Sequence, residues 1–139
     1  GHIAPAWYRE GSANVGNGLV LATFPELSGG LYEYSDDMSR NSWSKTRCSD
    51  VFQQWKLSND GVGHASMRNC EYDLGRRLVE LLVARDGTFD NIYKTYQAFK
   101  GGMDFDAAFE KYHGISRIAF LNEAEQYLER IDWAHAPYD

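Results

Sequence analysis

A chain of 139 residues is long enough for one domain and short for two. Hydrophobic residues at 43% and charged residues at 24% make an ordinary globular balance, which excludes a disordered acidic tail, a collagen-like repeat and a coiled-coil rod. The net charge of -6, with scattered basic residues, argues against a nucleic-acid partner, and no apolar run approaches the ~20 residues that span a bilayer, which argues against a membrane partner.

Gly1-His2 reads as the scar of a cleaved affinity tag, so the domain is taken as 3–139. A chain complete as written would be expected in the cytoplasm. A short helix is predicted from Pro5, because proline suits a first helical turn, where its missing N–H would have no partner. Gly11, Gly16 and Gly18 weaken that helix and are expected to end it by about Gly18. A glycine-rich loop follows to Gly29-Gly30. In residues 31–39, Leu31, Glu33 and Ser35 alternate with Tyr32 and Tyr34, which permits a short strand or a loop. Trp43, Val51, Phe52 and Trp55 recur at a rough 3–4 spacing and predict a helix from Ser42 to Trp55. Asn59-Asp60-Gly61-Val62-Gly63 reads as a turn.

The second half is more strongly patterned. Leu74, Leu78, Val79, Leu81 and Leu82 predict an amphipathic helix from about Glu71 to Ala84, ended by Asp86-Gly87. Thr88 can cap the next helix, on which Phe89, Ile92, Tyr93, Tyr96 and Phe99 share a face. Asp104 caps a short helix carrying Phe105, Ala108, Phe109 and Tyr112, and Gly114 suits a left-handed position at its end. Ser116 caps a last helix with Ile118, Leu121, Ala124, Leu128 and Ile131 on one side, and the tail from Asp132 reads as loop. The predicted fold class is mainly α: a single helical domain of about five to six helices, with a possible small β element before residue 40. Short connections in the last four helices predict antiparallel neighbours.

Local spacing assembles no complete catalytic or metal site. The four histidines, His2, His64, His113 and His135, include no HExxH pair, and there is no Cys-x-x-Cys, Gly-x-Ser-x-Gly or P-loop. Cys48 and Cys70 are too few for a disulfide framework or a four-cysteine zinc site. Two free buried thiols or one bridge both fit, with free thiols the plainer reading. His113 sits beside a helix C-terminus, where an imidazolium meets the helix dipole favourably. Arg76-Arg77 reads as a solvated face. Trp7, Trp43 and Trp55 read as core or groove wall. His64 follows a glycine-rich turn close in sequence to Tyr72, so that Trp7, His64 and Tyr72 form a candidate groove.

Two segments stand out together: Pro5-Ala6-Trp7-Tyr8-Arg9-Glu10-Gly11-Ser12-Ala13 and Tyr72-Asp73-Leu74-Gly75-Arg76-Arg77-Leu78. In that order, and followed by the stretch Met103–Ser116 and Phe120, they resemble the C-terminal half of the gluzincin zinc peptidases within the peptidase-MA-like group. The resemblance implies that Glu10 corresponds to the family's third zinc ligand, carried on the helix after the HExxH helix. It implies that Tyr72 corresponds to the tyrosine that steadies the tetrahedral oxyanion in the aminopeptidase branch. It implies a helical close to the domain, in which an Asp-Phe-x-x-Ala-Phe helix leads through Gly-Ile-Ser into a final helix. A His₂Glu set holds zinc and leaves a fourth position for water, and a tyrosine hydroxyl suits a developing oxyanion.

The family's two histidines and its general-base glutamate would lie upstream of Ile3, and Asn14-Val15 stands where the family often carries an aromatic residue. The expected function is a non-catalytic remnant or fragment of such a domain with no independent peptidase activity. No cofactor is expected in this chain, and zinc only if the missing ligands are supplied, for instance by a missing N-terminal half. The alternative is a complete small helical binding protein with an aromatic-lined groove, possibly a homodimer.

Overall fold

The computed structural model describes residues 4–24, 26, 47–57 and 65–130. Among the described residues there are six α-helices and no strand: α1 Ala6–Thr23, α2 Arg47–Leu57, α3 Ala65–Asp86, α4 Asp90–Lys100, α5 Phe105–His113 and α6 Arg117–Arg130. The mainly helical fold class read from the sequence is what is found. The possible strand at 31–39, the turn at 59–63, Trp43, His64, Ile131 and the tail from Asp132 lie outside the described residues.

The helix ends predicted from capping chemistry are present. The Asp104 carboxylate accepts from the N–H groups of Asp106 at 3.1 Å and Ala107 at 3.4 Å, which supplies partners to donors that a helix start leaves bare. Gly114 closes α5 at φ 72°, where a side chain would be strained. Ser116 Oγ accepts from Ala119 N at 3.1 Å at the start of α6. At the start of α4 the N-cap position falls on Phe89 rather than on the expected Thr88, whose Oγ1 accepts from Asp90 N at 3.1 Å from one residue further out.

Helix lengths are where the sequence expectation fails. Helix α1 does not stop at Gly18. It runs to Thr23, whose hydroxyl donates to Leu19 O at 3.0 Å. Glycine weakens a helix by roughly 1 kcal/mol relative to alanine, and that does not stop α1: Gly11 is seated on α3, while the turn after Gly18 is exposed and continues on backbone hydrogen bonds, with Phe24 N–H donating to Val20 O at 2.7 Å. Helix α3 begins at Ala65 rather than near Glu71. Two apolar residues also turn outward from their predicted faces: Tyr93 on α4 and Ile118 on α6 are exposed, while Phe120 takes the interior position.

The chief partner of α3 is α1, not its sequence neighbour α4. Trp7 meets Gly75, Gly11 meets Gly75 and Val79, and Gly16 lies against Phe89 just past the end of α3. The two helices therefore run in the same direction, which their separation in the chain allows. On this pair sits a core of Trp7, Tyr8, Leu74, Leu78, Val79 and Leu82, completed by Phe105, Phe109, Phe120 and Leu121 from the last helices. Trp7 stacks on Phe120 with ring centroids 6.0 Å apart and meets Phe109 edge-on at 6.5 Å.

Helix α2 covers another side of this core with Val51, Phe52 and Trp55. It is tied down by a disulfide and by polar contacts, among them Gln53 Nε2 donating to Glu125 Oε2 at 3.1 Å. Cys48 and Cys70 form a disulfide to α3, Arg117 donates from Nη1 to Trp55 O at 2.6 Å, and Lys56 pairs with Glu125 of α6. The plainer reading of the two cysteines as free thiols is thus overturned: their Cα atoms stand 5.5 Å apart, inside the range a disulfide spans.

Candidate functional site

The two segments singled out in the sequence meet at one point. A Cβ added at Gly11 would lie 2.1 Å from Gly75 O and 2.6 Å from Val79 Cγ2, and one at Gly75 would lie 2.7 Å from Trp7 O. Only backbones without side chains can approach this closely, so Gly11 and Gly75 are the contact that lets α1 and α3 cross. Glu10 directly precedes Gly11, and Tyr72 lies one helical turn before Gly75. Both therefore stand within a turn of the crossing. Glu10 is half-buried, and the Tyr72 ring is partly open to solvent at 38%.

Trp7 is not a groove wall. It is wholly enclosed by Tyr8, Phe109 and Phe120, because the turn that places Gly11 on α3 also points Trp7 inward. The candidate groove of Trp7, His64 and Tyr72 is therefore not assembled from the described residues: Trp7 is core, Tyr72 is at the surface, and His64 falls outside them. Among the described residues, no group of three or more His, Cys, Asp or Glu side chains is placed to hold a metal ion.

Around the buried Tyr8 of α1 the chain builds a polar cluster that the sequence did not reveal. His113 is buried with its ring against Phe109, 4.5 Å between centroids. Its Nδ1 lies 2.5 Å from the Asp86 carboxylate, which can only accept, so Nδ1 carries the proton. Nε2 then accepts from the Tyr8 hydroxyl at 2.9 Å. Thr95 Oγ1 gives its own proton to Asn91 O at 2.7 Å and stands 3.4 Å from the same nitrogen. One imidazole thus joins α1, α3, α4 and α5.

Burial holds the His113 pKa below the usual histidine value, with the Arg85 guanidinium adding to the effect and the Asp86 contact opposing it. The expectation of an imidazolium greeting a helix dipole is therefore corrected: enclosure disfavours the charged ring. Burial also pushes the Tyr8 hydroxyl well above the ordinary tyrosine range, so it stays protonated and donating. No local signal marks this cluster, since Tyr8 and His113 are 105 residues apart.

Burial raises the pKa of Tyr96 on α4, while a hydrogen bond with Ser12 and the Arg9 charge pull it back, and the Glu10 charge raises it further. Tyr96 is thus close enough to feel the carboxylate next to the glycine crossing. Arg77, expected on a solvated face, is buried at 3%, with Nη1 3.4 Å from Glu80 Oε2, while Arg76 stays nearer solvent and pairs with Glu80 at 2.6 Å. The aliphatic stem of an arginine packs readily when its head keeps an acidic neighbour.

No family model, curated protein or solved structure matches this chain. Among the described residues, no helix is long and apolar enough to cross a membrane.

Proposed function

We propose that this chain is the helical C-terminal part of a gluzincin-like zinc-peptidase domain, with Glu10 as the carboxylate ligand and Tyr72 as the oxyanion donor. The observation that supports this reading is the meeting of Gly11 and Gly75. These two glycines come from the two segments that carry the resemblance, and their contact gives a physical reason for a glycine in each. It also brings the helix bearing Glu10 and the helix bearing Tyr72 together without any intervening side chain.

A single carboxylate is one donor of the three that a catalytic zinc needs. The two imidazoles would have to come from outside these residues, since no HExxH occurs in the sequence. By itself the chain is then expected neither to hold zinc at useful affinity nor to cleave peptides. With the full donor set, zinc would supply an activated water and a polarised scissile carbonyl. The residues of this chain would contribute the Glu10 carboxylate, the Tyr72 hydroxyl, and the packed crossing that sets their helices.

The test is to read the coding sequence upstream of Ile3 and express the extended chain. An in-frame HExxH, with one zinc per extended chain that is lost in Glu10→Ala, is the expected result. An extended chain that binds no zinc, or whose zinc is indifferent to Glu10→Ala, would overturn the reading.

The alternative of a binding module, possibly a homodimer, loses its aromatic groove because Trp7 is interior. What favours it is the exposed apolar end of α1, where Leu19, Val20 and Phe24 are 40–50% exposed. Light scattering on the purified chain, with Phe24→Ser as the comparison, distinguishes a dimer held through that end from a monomer.

A further inference from the structure

We infer that this protein matures and works in an oxidising compartment, where a thiol–disulfide oxidase joins Cys48 to Cys70 and the bridge fastens α2 onto α3. The bridge links residues 22 apart in sequence, and both cysteines are completely buried. A disulfide enclosed in this way persists where the surroundings oxidise thiols, whereas the glutathione and thioredoxin systems of a cytosol keep such pairs reduced.

The bridge has a defined task. Helix α2 has 11 residues, a length that is marginal for an isolated helix. Its inward residues Val51, Phe52 and Trp55 join the core, while Asp50, Gln53, Gln54 and the terminal Leu57 are exposed and bury nothing. The polar fastenings, Arg117 to Trp55 O and Gln53 and Lys56 to Glu125, lie from the middle of the helix toward its C-terminal end. Cys48 is the second residue of α2, so the disulfide anchors the end that those contacts do not reach.

The chemistry balances with the oxidase named. One cysteine thiolate attacks the oxidase disulfide, forming a mixed disulfide and releasing one oxidase thiolate. The second cysteine thiolate then attacks the protein sulfur of that mixed disulfide and releases the other. The two cysteines lose two electrons and two protons in all, and the oxidase disulfide becomes a dithiol.

Three measurements on the protein from its native source test this. Unfolding in denaturant with an alkylating agent and no reductant is expected to leave both cysteines unlabelled, with an intact mass two hydrogens lighter than the thiol form. Labelling at both cysteines would overturn the inference. Reduction in denaturant, followed by refolding with the reductant present, is expected to lower the Tm by roughly 10 °C and to leave the Cys48→Ala/Cys70→Ala protein unchanged. If reduction does not move the Tm, or if the double variant matches the oxidised protein, the bridge fastens nothing. If the double variant does not fold, the labelling result decides. Cell fractionation is expected to place the protein outside the cytosol, and an oxidised protein found in the cytosol would overturn the assignment of compartment. None of these readouts involves zinc or Glu10, so they stand or fall apart from the peptidase reading.

Discussion

The crossing of α1 on α3 and the run from α4 to α6 are held together in opposite ways. At the crossing two glycines let one backbone lie on another, and a single added carbon would fall 2.1 Å from a carbonyl oxygen. From α4 to α6 the helices are placed by what the side chains add: Asp104 and Ser116 cap their starts, Gly114 turns the chain, and Phe105 and Phe109 fill the interior. One region has no tolerance for added volume. The other is a sum of modest, separable contributions.

The sharpest way to break that comparison is Gly11→Ala. Neither the Gly75 carbonyl nor the packed Val79 can step aside, so a loss of about 3 kcal/mol or more, or failure to fold, is expected by thermal or urea unfolding. Gly18→Ala in the same helix is the control. Nothing lies within 4 Å of its added Cβ, and the better helix former is expected to stabilise by up to about 1 kcal/mol. Equal effects at the two positions would show that α1 is not seated by a glycine contact.

An intermediate effect is expected where the two regions are joined. His113→Ala would strip Asp86 and Tyr8 of a buried partner and cost about 2–3 kcal/mol. The pH dependence sharpens the point. The native pKa of His113 is depressed, so on acidification through about 6.5 the unfolded chain takes up the proton first. Stability contributed by the neutral ring is complete above that pH and is lost as the pH falls toward the native pKa. Tm measured from pH 7.5 to 5 should therefore drop more steeply in the wild type than in His113→Gln. Nitrogen chemical shifts of the imidazole should report the proton on Nδ1 at neutral pH.

The smallest effect belongs to the capped region. Asp104→Ala removes the acceptor for two backbone N–H groups and should cost about 1 kcal/mol, with the Tm falling by a few degrees and the fold intact. A loss as large as that at Gly11 would mean that the C-terminal helices depend on one cap as strictly as α1 and α3 depend on their glycines.

The caps at Asp104 and Ser116, the left-handed Gly114 and the apolar face of α3 could be read from the sequence because each signal acts within a few residues. The site was less legible. Glu10 and Tyr72 could be singled out only through a resemblance of two short segments, and Trp7 was open to two readings because a tryptophan suits a groove as well as a core. Tyr93 and Ile118 matched the helical period of their neighbours and still turned outward, since periodicity identifies a face without saying how wide the buried part of it is.

The sequence by itself determined that this is a mainly helical chain, where four of its helices lie approximately, and how several of them start and stop. Those properties follow from backbone propensity, side-chain caps and the 3.6-residue period, all of which are local. Only the tertiary structure decided that Gly11 rests on Gly75, that Cys48 and Cys70 pair, and that His113 is held neutral between Asp86 and Tyr8. Each of these depends on which distant residues share one small volume, and there the cost of excluded space and of unpaired buried polar groups outweighs any local preference.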